Sequence, residues 1–189
     1  MIKNKEDYKR YIKIEDELYH KDYPNFSYEL KKILKFIKLY RKVEYYHNCR
    51  KDILGKLYYK LLNYKFKKLS IKYSIFLPIN TIEEGLCIIH IGPIYINSNA
   101  KIGKYLKIHP MTTIGKNIGI NNHSPILGDH VWIGPGARII GNITIGDNVI
   151  IGTNSVVNKS FKSNQVIAGM PAKTISHKSY NDYFKRTSK

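Results

Sequence analysis

Hydrophobic and polar residues recur with two different periods along the 189-residue chain. In the first 75 residues, apolar positions fall three or four apart, as on one face of an amphipathic helix. The clearest case is FSYELKKILKFIKLYRKVEYY. Its start is marked by Pro24, Asn25 and Ser27, which together form a helix start signal. The same spacing predicts two more helices, one from Tyr8, Tyr11, Ile12 and Leu18 and one from Leu54, Leu57, Leu61 and Tyr64. We expect these tyrosines and leucines to pack helices together rather than to stack on nucleic-acid bases, because no sheet carries them.

From residue 96 onwards the period becomes six. Aliphatic residues stand at every sixth position and resume after an interruption: Ile96, Ile102, Ile108, Ile114, Leu127, Ile133, Ile139, Ile145, Ile151 and Val157. Glycine often follows directly, and a small or β-branched residue often stands four positions later. A period of six fits neither a helix, with 3.6 residues per turn, nor a flat strand, with a period of two. Short strands that turn a corner every six residues, three to a coil, would place these side chains in one shared interior.

The run VWIGPGARIIGNITIGDNVIIGTNSVVNKSF resembles the hexapeptide-repeat acetyltransferases. The whole layout, with basic N-terminal helices before GLCIIHIGPIYINSNAKIG, is most similar to serine-acetyltransferase-like proteins of bacterial capsule and exopolysaccharide loci. The resemblance implies a mainly β fold, a left-handed parallel β-helix of hexapeptide repeats with an N-terminal α-helical region. We expect a helical region at 1–75, a β-helix acyltransferase domain at 76–175 and a basic tail at 176–189. The family also implies a homotrimer with its sites at subunit boundaries.

Charge is the most unusual feature of the composition, with 32 Lys and Arg against 14 Asp and Glu. Residues 1–75 alone hold 20 basic against 9 acidic residues. Such a surface attracts anions, including nucleotide phosphates, acidic glycans and lipid head groups, although solvated lysines in a chain rich in Ile, Lys, Asn and Tyr explain the charge equally well. No apolar run is long enough to cross a membrane, and the N-terminus lacks a signal-peptide core. We expect a cytoplasmic protein with reduced Cys49 and Cys87 and a peripheral contact with anionic membrane or glycan. No specific nucleic-acid partner is expected, because no recognition motif accompanies the charge.

His90 lies within the aliphatic stretch GLCIIHIGPIYIN, just ahead of the first repeat. A histidine in such a place is, by itself, more often a core residue than a base. The resemblance to serine acetyltransferases instead implies that His90 is the catalytic base, which removes the proton of an acceptor hydroxyl that attacks acetyl-CoA. A backbone amide would stabilise the oxyanion. Ile89 and Ile75 stand where that family has aspartates, so we expect another group, such as a backbone carbonyl, to orient His90. The missing acids favour a sugar hydroxyl over free serine as acceptor.

Further site residues follow from the resemblance. The segment KNIGINNHSP, residues 116–125, breaks the six-residue frame and is expected to be a loop that brings Asn122 and His123 to the acceptor. His123 is also the alternative base, or else a solvated loop residue. Trp132 lines the acceptor pocket or stacks on the coil exterior. Galactoside acetyltransferases imply coenzyme A contacts at Gly115, Pro135, Thr153, Asn158, Lys159 and Lys173. Pro135 can offer only its carbonyl, because proline has no backbone N–H.

The residues and the resemblance together predict an O-acetyltransferase that uses acetyl-CoA as co-substrate, needs no metal and modifies a sugar hydroxyl in capsular or surface polysaccharide synthesis. The alternative is the serine O-acetyltransferase of cysteine biosynthesis. A zinc enzyme of the same fold is disfavoured, because six residues separate His123 from His130 where that family has four. A non-catalytic anion-binding protein is supported by charge alone.

Overall fold

The computed structural model describes residues 1–25, 27–117, 123–178 and 180–184, the side chains of Asn181 and Phe184 excepted. Three long helices come first: α1 (Lys5–Asp22), α2 (Tyr28–Cys49) and α3 (Ile53–Tyr73). Each has a side-chain N-cap. Ser27 Oγ, for example, accepts the Leu30 N–H at 3.3 Å, as the predicted start signal required. A short helix, α4 (Tyr180–Phe184), lies near the C-terminus.

In the described residues, fourteen short strands wind into a left-handed parallel β-helix with three faces. Face A contains β1 (Ile75–Phe76), β3 (Ile94–Ile96), β6 (Thr112–Gly115), β9 (Arg138–Ile140) and β12 (Val156–Val157). Face B contains β4 (Lys101–Ile102), β7 (Ile126–Leu127) and β10 (Thr144–Ile145). Face C contains β2 (Cys87–Ile88), β5 (Lys107–Ile108), β8 (Trp132–Ile133), β11 (Ile150–Ile151), β13 (Val166–Gly169) and β14 (Ala172–Ser176). Every pairing is parallel except β13 with β14, which closes the C-terminal end as a hairpin.

The interior of this prism is filled by the residues of the six-residue period. All ten aliphatic positions from Ile96 to Val157 are at most 3% exposed. The parallel ladders stack equivalent residues, so that Ile108 lies beside Ile133 and Ile133 beside Ile151. The predicted interior is confirmed. The predicted loop between β6 and β7 contains no described strand, and residues 118–122 lie outside the described part of the chain.

The N-terminal helices cover the strand edge that would otherwise be open. β2 is the last strand of face C, and its outer edge faces α1. The hydroxyl of Tyr19 accepts the Ile88 N–H at 2.9 Å and donates to the Ile88 carbonyl at 2.7 Å. Glu15, which is on the same helix as Tyr19, accepts the N–H of Leu86 at 3.4 Å. Side chains of α1 therefore act as a substitute strand and prevent edge-to-edge pairing.

A buried ion network joins α1 and α2 to the segment ahead of β2. Arg41 is fully buried and contacts Glu15 at 2.8 Å and Glu44 at 3.0 Å. Its guanidinium also donates to the carbonyls of Ile82, at 2.8 Å, and Glu83, at 2.6 Å. Such a buried cation is tolerated only because carboxylates and carbonyls surround it. This network holds the helices at a defined angle to the first coil.

The packing face of α3 differs from the expectation. Residues 53–73 form the predicted helix, but Leu62, Phe66 and Ser70 are the ones that pack inwards. The residues that predicted the helix point to solvent: Leu54, Leu57, Leu61 and Tyr64. The prediction that they pack helices together within this chain is therefore wrong. Among the described residues, no helix is long and apolar enough to span a membrane.

Candidate active site

His90 lies at the end of β2, on the edge where face C turns into face A, hereafter the C–A edge. Its side chain is 59% exposed, so the ring is open to solvent rather than sealed in the core. Nδ1 lies 3.3 Å from Oε2 of Glu29, in the first turn of α2. The other carboxylate oxygen of Glu29 accepts the N–H of Ile91 at 2.8 Å. A carboxylate, not the expected backbone carbonyl, is therefore the partner of His90.

The charge of Glu29 sets what His90 can do. The hydrogen bond from the Ile91 N–H lowers the pKa of Glu29, and the contact with His90 lowers it further. Glu29 is therefore ionised at neutral pH and can only accept hydrogen bonds. Nδ1 of His90 therefore donates to the carboxylate, and in the neutral imidazole the lone pair is on Nε2. An acid beside an oriented, solvent-exposed imidazole is the arrangement that general-base chemistry requires.

A second histidine lies one coil further along the same edge. His109 follows β5, the neighbour of β2 in face C, and neighbouring strands lie about 4.8 Å apart. Its Nδ1 lies 3.0 Å from the Ile133 carbonyl, which fixes the tautomer. Burial lowers the pKa of His109, and the proximity of His90 adds to the effect. The ring of Trp132 meets the His109 ring edge to face at 4.7 Å, which places Trp132 at this edge as well.

The C–A edge continues through Pro135 and Thr153 to Lys173. Pro135 is stacked on the next coil, where its carbonyl accepts the Asn154 N–H at 2.9 Å. A Cβ added to Gly134 would come within 2.9 Å of the Thr153 nitrogen, so the coils meet there with no room for side chains. Lys173 is paired with Ala168 at the final turn of the same edge and is exposed. Three strand steps separate His90 from Thr153, about 14 Å along the prism.

The other predicted site residues lie across face A, on the edge where face A turns into face B, hereafter the A–B edge. Gly115 ends β6 there, and its carbonyl accepts the Gly141 N–H at 3.1 Å. Asn158 and Lys159 follow β12 and are exposed, with the Lys159 ammonium 5.5 Å from the Phe161 ring centre. His123 is exposed beside the buried Ser124, which donates to Asn97 at 2.9 Å. Asn122 lies outside the described residues. Within one chain, the predicted site residues thus lie on two different edges of the β-helix.

Two further features bear on the chemistry. A groove of about 580 Å³ lies between α3 and the start of face A, lined by residues that include Phe66, Ser70, Phe76 and Tyr95. His90 is not part of its lining. In the described part of the chain, no group of three or more His, Cys, Asp or Glu side chains is placed to hold a metal ion.

Glu29 and His109 were missed by the sequence analysis. Glu29 is the acidic residue in the first turn of α2, but 61 positions separate it from His90, and no local pattern connects them. His109 occupies the position after an inward-facing isoleucine, one coil beyond His90. The six-residue frame places position 90 level with Ile108, whereas the strand register, which pairs Ile88 with Ile108, sets Ile89 level with His109. The frame alone therefore does not connect the two histidines.

Known proteins share this architecture and its repeat. Residues 124–159 match the family model described as bacterial transferase hexapeptide (six repeats). The structure is similar to a Neisseria gonorrhoeae serine acetyltransferase in complex with serine, with a TM-score of 0.69 and 21% identity over 91% of this chain and 70% of that one. The chain is thus a left-handed β-helix protein that carries hexapeptide repeats of the bacterial transferase type.

A relative by sequence and another solved structure are also serine acetyltransferases. Over 143 residues the chain is 32% identical to the serine acetyltransferase of Buchnera aphidicola subsp. Schizaphis graminum. The aligned region covers 74% of this chain and 52% of that protein. Serine acetyltransferase from Brucella abortus strain S19, in complex with coenzyme A, shares 25% identity over 93% of this chain and 70% of that one, with a TM-score of 0.68. The chain spans about half the length of this Buchnera relative and of the serine acetyltransferase of Buchnera aphidicola subsp. Acyrthosiphon pisum.

Proposed function

We propose that this chain is an O-acetyltransferase that takes its acetyl group from acetyl-CoA. The observation that carries the proposal is the solvent-open His90 held by the ionised Glu29 on the edge of a hexapeptide β-helix. A similar solved protein is a serine acetyltransferase in complex with coenzyme A. The extended C–A edge beyond His90 offers a track for a long, linear co-substrate.

His90 supplies the proton transfer in this reaction. Nε2 removes the proton of the acceptor hydroxyl while its oxygen attacks the thioester carbonyl of acetyl-CoA. The tetrahedral intermediate collapses as the carbon–sulfur bond breaks, and the proton on Nε2 passes to the departing thiolate to give free coenzyme A. Glu29 stabilises the transient imidazolium and keeps the ring in the productive tautomer. Trp132 and His109 would form the wall on which the acceptor lies.

The acceptor that the site supports best is L-serine. Ile89 and Ile75 are buried, which agrees with the absence of an acid from those positions. Glu29, however, returns a carboxylate to the immediate neighbourhood of the base, where it could attract an amino group. That removes the main reason for expecting a sugar. The relatives described above are named for serine, and none of them supports a polysaccharide acceptor.

Acetyl-CoA would bind between two copies of the chain. The predicted contacts lie on both edges that border face A, with the width of that face between them. A cyclic trimer with face A turned towards its axis places the C–A edge of one copy against the A–B edge of the next. His90, Pro135, Thr153 and Lys173 of one copy would then meet Gly115, His123, Asn158 and Lys159 of another copy. This arrangement supports the expected homotrimer.

The test is release of free thiol from acetyl-CoA with L-serine and, in parallel, with a panel of sugars and nucleotide sugars. Serine-dependent turnover in the wild type should fall by about 10²–10⁴-fold in His90→Ala, whereas His177→Ala, in the exposed tail, should retain it. If only a sugar supports turnover, the proposed acceptor is wrong but the proposed reaction, acetyl transfer to a hydroxyl, stands. Full activity in His90→Ala with none in His123→Ala would reassign the base. If no acceptor supports turnover and acetyl-CoA does not bind, the proposal that the chain is an acetyltransferase is rejected.

A further inference from the structure

Helix α3 has two apolar faces, and only one of them is used within the chain. The inner face carries Leu62, Phe66 and Ser70 and packs on α2 and the first coil. On the opposite side, Leu57 and Leu61 are 66% and 61% exposed. At about 100° per residue, other exposed apolar side chains fall on that same outer side. We call them together the α3 stripe: Ile53, Leu54, Leu57, Leu61, Tyr64 and Ile71.

Lysines border this stripe on both sides. Lys56, Lys60 and Lys67 lie along one flank by the same helical geometry, and Lys65 and Lys72 lie along the other. Lys68 falls within the stripe. The helix, ILGKLYYKLLNYKFKKLSIKY, contains no acidic residue. The side of α3 that faces solvent is therefore apolar at its centre and cationic at its margins.

The neighbouring surface is also basic. Lys31 and Lys35 of α2 are exposed and Lys32 is partly exposed. The acids between residues 28 and 73 number only three. Glu44 is buried with Arg41, Glu29 is engaged with His90, and Asp52 pairs with Arg50 and caps α3. Each acid of this region therefore already has a basic or N–H partner.

We propose that α3 docks on an anionic lipid surface, with its apolar stripe between the head groups and its lysines on the lipid phosphates. Amphipathic helices with a basic polar face bind membrane interfaces in this way, lying in the plane of the bilayer without crossing it. The inference depends on α3 alone and holds whatever hydroxyl the enzyme acetylates.

The charge around the α3 stripe favours an anionic lipid surface over two other partners, a second copy of the chain and a nucleic acid. A second copy of the stripe would bring six lysines against six lysines with no carboxylate to offset them, which opposes self-association. A nucleic acid would satisfy the lysines but would leave the leucines, the tyrosine and the isoleucines against phosphates and water. An anionic bilayer satisfies both, because acyl chains take the apolar centre and phosphates take the margins.

The experiment is co-sedimentation of the full chain with vesicles of phosphatidylcholine alone and with vesicles that contain about 30% phosphatidylglycerol. The wild type should bind only the anionic vesicles, and added salt should weaken the binding. Leu57→Glu with Leu61→Glu should reduce the partition coefficient by at least tenfold, since it removes apolar area and adds negative charge. Lys60→Gln with Lys65→Gln should reduce it by roughly 25-fold, at about fivefold per lysine.

Matched controls lie elsewhere on the surface. Ile126→Glu with Ile175→Glu makes the same charge change at exposed apolar sites on other elements, and Lys101→Gln with Lys162→Gln removes two exposed lysines. Both controls should bind vesicles like the wild type. Circular dichroism and thermal melts check that each variant is folded, which is expected because the substituted positions are exposed.

Three results would overturn the proposal. The wild type could remain in the supernatant with anionic vesicles, or the α3 variants could bind as tightly as the controls. Alternatively, sedimentation velocity without lipid could show that the Leu57 and Leu61 variant loses an oligomeric state, with no vesicle binding by the wild type. That result would assign the stripe to a contact between copies.

Discussion

Glu29 and His90 are separated by 61 residues, yet the glutamate carboxylate lies 3.3 Å from the imidazole Nδ1. The contact exists because the N-terminus of α2 meets the turn between β2 and β3, where the same carboxylate also accepts the Ile91 N–H. One acidic side chain thus fixes both the ring of His90 and the backbone beside it. The proposed base is therefore positioned by the helical region and not by the β-helix alone.

The variant Glu29→Gln separates these two roles. An amide oxygen can still accept the Ile91 N–H, but the side chain no longer carries the negative charge that stabilises the imidazolium. We expect kcat with L-serine to fall by about 10²-fold, while the KM for acetyl-CoA and the thermal midpoint stay close to those of the wild type. Steady-state kinetics and calorimetry measure all three.

Glu17→Gln is the matched control, because Glu17 is exposed and its nearest cation, Lys13, is 3.8 Å away. It should leave kcat unchanged. A Glu29→Gln enzyme that keeps its kcat would show that the carboxylate contributes only to structure, and Glu29 would lose its place in the mechanism.

Lys159 and Lys173 are proposed to contact coenzyme A from two edges, and their ammonium groups are suited to its phosphates. Replacing each by alanine should raise the KM for acetyl-CoA by about fivefold, as expected for one exposed charge pair, with little change in kcat. Both lysines would contact the same ligand from different copies. If their free-energy effects add, the KM for acetyl-CoA of the double variant should rise by roughly 25-fold. Lys162→Ala is the control on the same surface, and equal effects from all three lysines would point to general electrostatic attraction instead.

Tyr19 provides a test of the covered strand edge. Tyr19→Phe keeps the ring but leaves the N–H and carbonyl of Ile88 without their partner. The loss should lower the free energy of unfolding by about 2–4 kcal/mol, since buried polar groups are costly when unpaired. Tyr95→Phe, on an exposed ring of face A, should change it by less than about 0.5 kcal/mol. Urea titration measures both, and equal stability of the two variants would contradict the edge role.

Glu84 links α1 to the second coil and predicts a pH dependence of stability. It contacts Arg10 at 2.8 Å and Lys104 at 3.0 Å. Burial by itself would raise the pKa of Glu84, but hydrogen bonds from Arg10 and Lys104 bring it below the ordinary value of 4.5. A carboxyl with a depressed pKa in the folded state stabilises the fold above its unfolded pKa, and this contribution disappears as the pH falls through the folded value.

Wild type should therefore exceed Glu84→Gln in stability by about 1 kcal/mol at pH 7, and the gap should close below pH 4.5. Thermal melts between neutral and acidic pH measure the gap. The Glu17→Gln variant should follow the wild type throughout. A gap that is constant with pH would mean that Glu84 stabilises by packing and not by charge.

The repeat half of the fold could be predicted from the sequence because each coil uses a local rule. An aliphatic residue at every sixth position can only be buried if the chain turns a corner between successive positions, and each coil then covers the next. Ile102, Ile133 and Ile151 occupy the interior for this reason. Ser27 could likewise be recognised as a helix start, since its hydroxyl satisfies an N–H only three residues away. His90 was singled out by resemblance, and the structure adds its exposure.

Other features were decided by tertiary structure alone. Helical spacing in α3 shows that an apolar face exists, but this helix has two, and only packing against α2 and the first coil determines that Leu62 points inwards and Leu57 outwards. The division of the proposed coenzyme A contacts between two edges follows from the winding of the chain. The partner of His90 depends on where α2 begins relative to β2. Local periodicity reports which side chains need burial, whereas contacts between distant residues depend on how whole elements pack, and that is a property of the folded chain.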